Sequence, residues 1–412
     1  MANGLFGGGD GTESNPYLVE DPNDLNAVRN YLTAHFKQTK NIDLATFGNW
    51  TPVGGGSESY FGGTYDGADF TIANLTINSP GRNQCGLFGE AWAWSGNKSW
   101  VRFTNIHLKN CSVIGANEVG GLIGSASRCE VKNCTVEGMV SGDGEVGGLI
   151  GVLDNSNAEG CHANSTVRGG SDAGGLIGSL FYSIAKRCSS KSIVTGSRHL
   201  GGLIATQSGD SLLEESYAIC DVLSSPPLET SNGWRGEVGG LVGLVNIVHD
   251  PSRREGRIIN CYAQGSVRIE GYTTSGNYIG GLFGRVEVQL VNSNHYATVL
   301  NCYSAVKVKV DSNGPIRTVS GGLSGYFPTQ STLAPTSSYY DSQISGQYDT
   351  GKGFPITTEQ MKRKSTYSRW NFDTVWKIDD GKTYPTFIFL KSEEITQCTA
   401  FRIFLRMFNN KN

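Results

Sequence analysis

Proline is scarce in this chain: 12 residues of 412, beside 56 glycines. No Gly-X-Y period accompanies the glycine, which excludes a collagen-like triple helix. Excess glycine without proline, set between short apolar runs, suits an all-β chain with many tight turns. No run approaches the ~20 apolar residues that a membrane-spanning helix needs. No basic stripe is present, and a formal charge of −3 with a pI near 6.1 makes nucleic acid a poor partner. The opening MANGLFGGGDGTESN lacks the positive and apolar regions of a secretory signal. No HExxH occurs among His35, His107, His162, His199, His249 and His295, so zinc-peptidase chemistry is not expected. No CxxC or Cys–His spacing marks a zinc site, and no P-loop is found. Disorder is excluded by composition, since 38% of residues are hydrophobic and 10% aromatic.

What the chain does have is a repeat. GGLIG-like runs place a glycine before leucine at Gly86, Gly121, Gly148, Gly175, Gly202, Gly240, Gly281 and Gly322. From Gly121 to Gly202 the interval is a constant 27 residues. A second marker keeps step: Cys134, Cys161 and Cys188 each follow such a glycine by 13 residues, and Ser216 takes the cysteine's place in the next copy. No copy holds a 3.6-residue period long enough for a helix. A unit that cannot bury its own apolar face must stack on its neighbours, one strand spacing (~4.8 Å) apart. Leu122, Leu149, Leu176, Leu203, Leu241, Leu282 and Leu323 then form one internal column. The expected fold is all-β, a right-handed parallel β-helix (β-solenoid) of about eight coils.

Open coil ends need caps. Residues 17–42 carry Leu25, Val28, Leu32 and Phe36 on one helical stripe, with Asp21 or Asn23 as N-cap, and predict an N-terminal helical cap. Trp370, Phe372, Trp376, Tyr384 and Phe387 predict a C-terminal capping plug. The expected divisions are 1–80 (cap and first strands), 81–335 (repeat), 336–390 (plug) and 391–412 (apolar tail). In the tail, Phe401, Phe404, Leu405 and Phe408 make one stripe of a short helix suited to assembly with another copy or a partner.

GGLIG runs followed by NCT or NCY resemble the GLUG-motif repeats of bacterial and phage surface proteins. The opening GTESNPYLVEDPNDLNAVRNYL and the closing stretch from YYDSQISGQYDT to DDGKTYP fit the same family, so the resemblance covers about residues 10–388. It implies a β-helix. It also implies an adhesin, a scaffold beside an IgA-cleaving peptidase domain, or a phage virion protein.

Several polar features are candidate sites. The cysteine column (Cys134, Cys161, Cys188, Cys261, Cys302, with Cys111) reads as small core thiols. Glu118, Glu145 and Asp172, followed by His199 and Glu237, form an acidic column. It could hold a cation such as calcium or stand as a solvated row. Asn110, Asn133, Asn260 and Asn301 read as an amide ladder. Insertions at 221–236, 244–259, 267–278 and 285–300 bring Trp234, Arg235, His249, Arg253, Arg254, Tyr272, Tyr278, His295 and Tyr296, and are expected to share one binding face. Trp92, Trp94 and Trp100 form a second aromatic group, covering the first coils or binding. No cofactor is expected.

The expected function is a non-enzymatic phage virion component, tail-fibre or adhesin-like, at the virion surface or outside the cell. Its expected partners are a host-surface glycan or protein, neighbouring virion proteins, or a second copy of the chain. A secreted bacterial adhesin is the first alternative. A tailspike-type polysaccharide depolymerase is the second, and it would need two carboxylates ~5–9.5 Å apart.

Overall fold

The computed structural model describes residues 6–56, 59–93, 100–225, 236–249, 256–271, 276–290, 299–312, 318–328, 334–350 and 352–390. The described chain winds as a parallel β-helix whose coil has four strands. In the second coil these are Asn117–Gly120, Ile123–Ser127, Cys129–Lys132 and Thr135–Gly142. Equivalent strands pair coil to coil, giving four parallel sheets, numbered I to IV in that order. The expected leucine column is in place: Leu122, Leu149, Leu176, Leu203, Leu241, Leu282 and Leu323 are fully buried. The neighbouring column runs Phe88, Ile123, Ile150, Ile177, Ile204, Val242, Phe283.

The double glycine makes the sharp corner between sheets I and II. A Cβ on Gly147 would lie 1.9 Å from the carbonyl oxygen of Ile150, and one on Gly151 would lie 2.6 Å from the backbone of Glu118. Backbone of adjacent strands therefore touches here, and only glycine permits it.

The corner between sheets III and IV explains the cysteines. Cys161 Sγ donates to the carbonyls of Glu159 (3.5 Å) and Val131 (3.4 Å). Ser216 Oγ donates to Glu214 O at 2.8 Å and accepts the Cys188 amide at 3.0 Å. A small X–H group satisfies corner carbonyls, and thiol or hydroxyl serves. All nine described cysteines are free and buried. The position preceding this corner takes a left-handed conformation, with φ of 52–54° at Asn105, Asn133, Asn260 and Asn301, which asparagine tolerates. Asn133 Nδ2 donates to Asn105 Oδ1, and Asn301 Nδ2 to Asn260 Oδ1, both at 3.3 Å.

Two register expectations are corrected. Thr135 pairs with His107, so Ile106 and not Cys111 stands in the Cys134 column. Asn110 correspondingly bonds Asn74, at 2.6 Å, and lies outside the ladder of Asn133. Asn105–Ile106 occupies the place of Asn133–Cys134, and a one-residue register shift between Val136 and Gly138 then sets Cys111 opposite Gly138.

The N-terminal helix is shorter than expected: Pro22–Ala27, then a 3-10 turn over Val28–Asn30. Asp21 caps it, accepting from the amides of Asn23 and Asp24 at 2.8 and 3.0 Å. His35–Gln38 is a strand paired with Tyr17–Val19. Leu25, Val28 and Phe36 are all buried, but Phe36 arrives from a strand.

The C-terminal segment is not simply an end plug. Tyr339–Asp341 and Phe354–Ile356 extend sheet IV past the last coil. Lys352 Nζ donates to the carbonyls of Ser320 (3.2 Å) and Gly325 (3.0 Å), and Asp349 accepts the Gly322 amide at 2.9 Å, so these two close the final edge. Residues 358–390 instead lie along the outer side of sheet IV. There Tyr217, Tyr262 and Tyr303 stack coil on coil, 4.9 and 5.0 Å apart with their ring planes nearly parallel. Trp370, Trp376 and Phe387 bury that ladder, and Tyr303 Oη donates to Pro385 O at 2.8 Å.

Candidate functional site

The seam between sheets I and II holds the acidic column. Strand pairing sets Glu118 beside Glu145 and Asp172 beside His199, then His199 against Glu237 and Glu237 against Tyr278. Glu118 and Glu145 adopt left-handed φ of 56° and 50°. Burial raises the Glu145 pKa, and the charges of Asp172 and Glu118 add to it. Glu90, on the facing strand of sheet II, is raised in the same way by burial and by Glu118.

Further along, the charge is answered. His199 Nδ1 lies 2.8 Å from Asp172 Oδ1, and Nε2 lies 3.1 Å from Glu237 Oε2. Burial opposes charging this ring, but its bonds to Asp172 and Glu237 outweigh burial and push its pKa up to about 9. Arg285 reaches Glu237 at 3.7 Å, pairs with Glu287, and lies over the rings of Tyr278 and Tyr326, 5.3 and 5.4 Å from their centroids. The sequence column Glu118, Glu145, Asp172 is thus real as a column. Among the described residues no three His, Cys, Asp or Glu side chains are arranged to hold a metal ion. Tyr278 belongs to this seam rather than to a projecting loop.

Of the other candidates, His249 ends the strand Val242–His249. Trp234, Arg235, Arg253, Arg254, Tyr272, His295 and Tyr296 lie outside the described residues, as do Phe401, Phe404, Leu405 and Phe408. The strands around them nevertheless fix where these segments leave the coil. Residues 226–235 and 272–275 connect sheet IV to sheet I, whereas 250–255 and 291–298 connect sheet II to sheet III. The described strands that flank these segments thus belong to two different corners of the coil, from sheet IV to sheet I and from sheet II to sheet III. Strand lengths hid this, because sequence spacing does not say which corner an insertion follows. Beside the sheet IV–I corner, the outer face of sheet IV carries a trough of about 580 Å³. Thr195, Asp221, Leu223, Ser266, Arg268 and Lys309 are among its lining residues. Two of its lining cations share one partner: Arg268 and Lys309 both meet Asp311, at 2.6 and 2.9 Å.

Residues 115–141, one turn of this coil, match the GLUG motif. The chain is a parallel β-helix with a GLUG motif in one of its coils. The chain is 31% identical over 146 residues to Halomucin of Haloquadratum walsbyi. It is 32% identical over 140 residues to a Gly-rich membrane protein of Evansella cellulosilytica. Those stretches cover 33% and 32% of this chain but only 2% and 16% of the relatives, so it spans a small part of their length. Among solved structures, a protein of Bacteroides ovatus described as an immunoglobulin A1 protease superposes over 95% of this chain and 97% of its own. The TM-score is 0.51 and the identity 18%, a likeness of fold. No described helix is long and apolar enough to cross a membrane.

Proposed function

We propose that this GLUG β-helix is a binding protein that works at a surface, with no catalytic step of its own. The observation that supports the reading is the placement of its lengthened segments. The described strands that lead into them belong to sheet IV or sheet II, in consecutive coils, and the outer face of sheet IV carries a trough of about 580 Å³. That volume lies in the ~300–1,000 Å³ range of ligand pockets. The segments carry Trp234, Arg235, Arg253, Arg254, Tyr272, His295 and Tyr296, residue types that dominate contact energetics. The first form of the proposal is a virion component, tail-fibre-like, that meets a host-surface glycan or protein or a neighbouring virion protein. A cell-surface adhesin is the second form. It is favoured by the relatives, which come from cellular organisms and include one named as a membrane protein. In either form the tail stripe Phe401, Phe404, Leu405 and Phe408 serves assembly.

The test is attachment of the purified, labelled chain to intact host cells. Tyr272→Ala with Tyr296→Ala should weaken it with the circular dichroism unchanged. Full attachment by that variant would move the binding surface elsewhere. Deleting residues 391–412 should lower the mass measured by light scattering, and an unchanged mass would remove the assembly role.

A further inference from the structure

The tryptophans near the first coils have a counterpart that the sequence did not single out. Along the edge of sheet II that borders sheet III, the outward position reads, coil by coil, Trp92, Ser127, Asp154, Phe181 and Ser208. Trp92 and Phe181 therefore share one register position three strand spacings apart, ~14 Å. Each is part of an aromatic pair. Tyr60 stands edge-on to Trp92 with centroids 5.0 Å apart, and Tyr182 stands edge-on to Phe181 at 4.1 Å. Phe181 is 39% exposed, and Trp100, at the same corner, 41%. Packing does not require rings here, since serine or aspartate fills the same position in the intervening coils and in the next one.

Between the two platforms the ridge is polar. Ser127 Oγ donates to Asp154 Oδ2 at 3.2 Å, and Asn155 Nδ2 to Asp154 Oδ1 at 2.9 Å. Arg128 and Asn155 are exposed on the corner itself.

We propose that this ridge is a glycan-binding track, taking a chain of uncharged pyranose units laid parallel to the rod. An aromatic ring presents a flat apolar face to the C–H face of a pyranose. The carboxylate, hydroxyl and amide between the platforms suit the hydroxyls of the intervening sugars. Other occupants fit less well. A protein partner needs a contiguous apolar centre, and here two polar coils interrupt it. A nucleic acid or an anionic membrane needs a basic stripe, and here Asp154 stands mid-track. The track lies on the earlier coils of the sheet II–III corner, before the coils with the connections 250–255 and 291–298, and its residues are not those of the lengthened segments.

The experiment is titration of the full chain with maltohexaose, cellohexaose and N-acetylated chitohexaose, followed by saturation-transfer difference NMR and calorimetry. At least one hexasaccharide should bind saturably, with saturation reaching its ring C–H protons. Phe181→Ala and Trp92→Ala should each weaken that binding about tenfold, and Phe181→Tyr should restore it. Asp154→Ala should weaken binding while leaving the C–H saturation pattern. Circular dichroism reports whether each variant is folded. No saturable binding of any of the three sugars at millimolar concentration overturns the proposal. So does full affinity in a folded Trp92→Ala/Phe181→Ala double variant.

Discussion

His199 and Glu237 meet at 3.1 Å across the boundary between two coils, both almost wholly buried. With Asp172 at 2.8 Å on its other nitrogen, the imidazolium ties three successive coils together. Its pKa is raised from 6.5 to about 9. The stabilisation is therefore fully present below pH 6.5 and is lost as pH rises through about 9. Unfolding free energy measured in denaturant should fall by on the order of 3 kcal/mol between pH 6 and pH 10. His199→Gln should be destabilised at pH 6, by ~3–5 kcal/mol, because the buried Glu237 and the half-buried Asp172 lose the cation they share. It should also lose most of that pH slope. An unchanged slope in the variant would detach it from His199.

Leu149 sits within the leucine column, between Leu122 and Leu176, with no exposed surface. Leu149→Ala should cost ~2–5 kcal/mol, read as a shift of the denaturant midpoint. A loss under ~0.5 kcal/mol would mean that neighbouring coils close the cavity.

At the thiol corner, hydrogen bonding rather than sulfur chemistry is the requirement. Cys161→Ser should stay within ~1 kcal/mol of the parent, because Ser216 already fills an equivalent place. Cys161→Val should cost ~1–3 kcal/mol, since the corner carbonyls lose their donor. A reductant should leave the melting temperature unchanged. A Cys134–Cys161 linkage found by mass spectrometry would contradict all three.

Trp376 is fully buried against the side of sheet IV, its ring 6.2 Å from the Tyr262 centroid. Trp376→Ala should destabilise by ~3–5 kcal/mol and raise binding of a hydrophobic dye, because the tyrosine ladder becomes wet. A change confined to hydrogen exchange at the last coil would indicate that the segment acts only at the rod's end.

The repeat made most of the fold legible, since an in-register stack converts sequence spacing directly into neighbourhood. Leu149 over Leu176 and Asp172 over His199 follow from counting. The failures arise where counting stops. Asn110–Cys111 matches Asn133–Cys134 in text, yet Asn105–Ile106 takes that place, with a buried isoleucine where later coils have cysteine. The stripe through Phe36 has helical spacing, yet pairing with Tyr17–Val19 makes that stretch a strand, a tertiary override of local periodicity. The aromatic cluster after residue 358 announced burial but not its location. The tyrosines that receive it recur one per coil and could equally have been read as spacers. His199 looked like a break in an acidic run, and only the two distances to carboxylates show it to be the counter-ion.

That interruption has a consequence for folding. A stack of near-identical GGL turns is energetically degenerate against pairing the wrong two coils, within one chain or between two. Charges written Glu, Glu, Asp, His, Glu along the seam remove the degeneracy. A coil misplaced by one step leaves His199 without one of its carboxylates, or sets two buried acids face to face. The seam thus acts as an address label, and a chain with His199 and Glu237 both made neutral should keep its strands while misassembling more often on refolding.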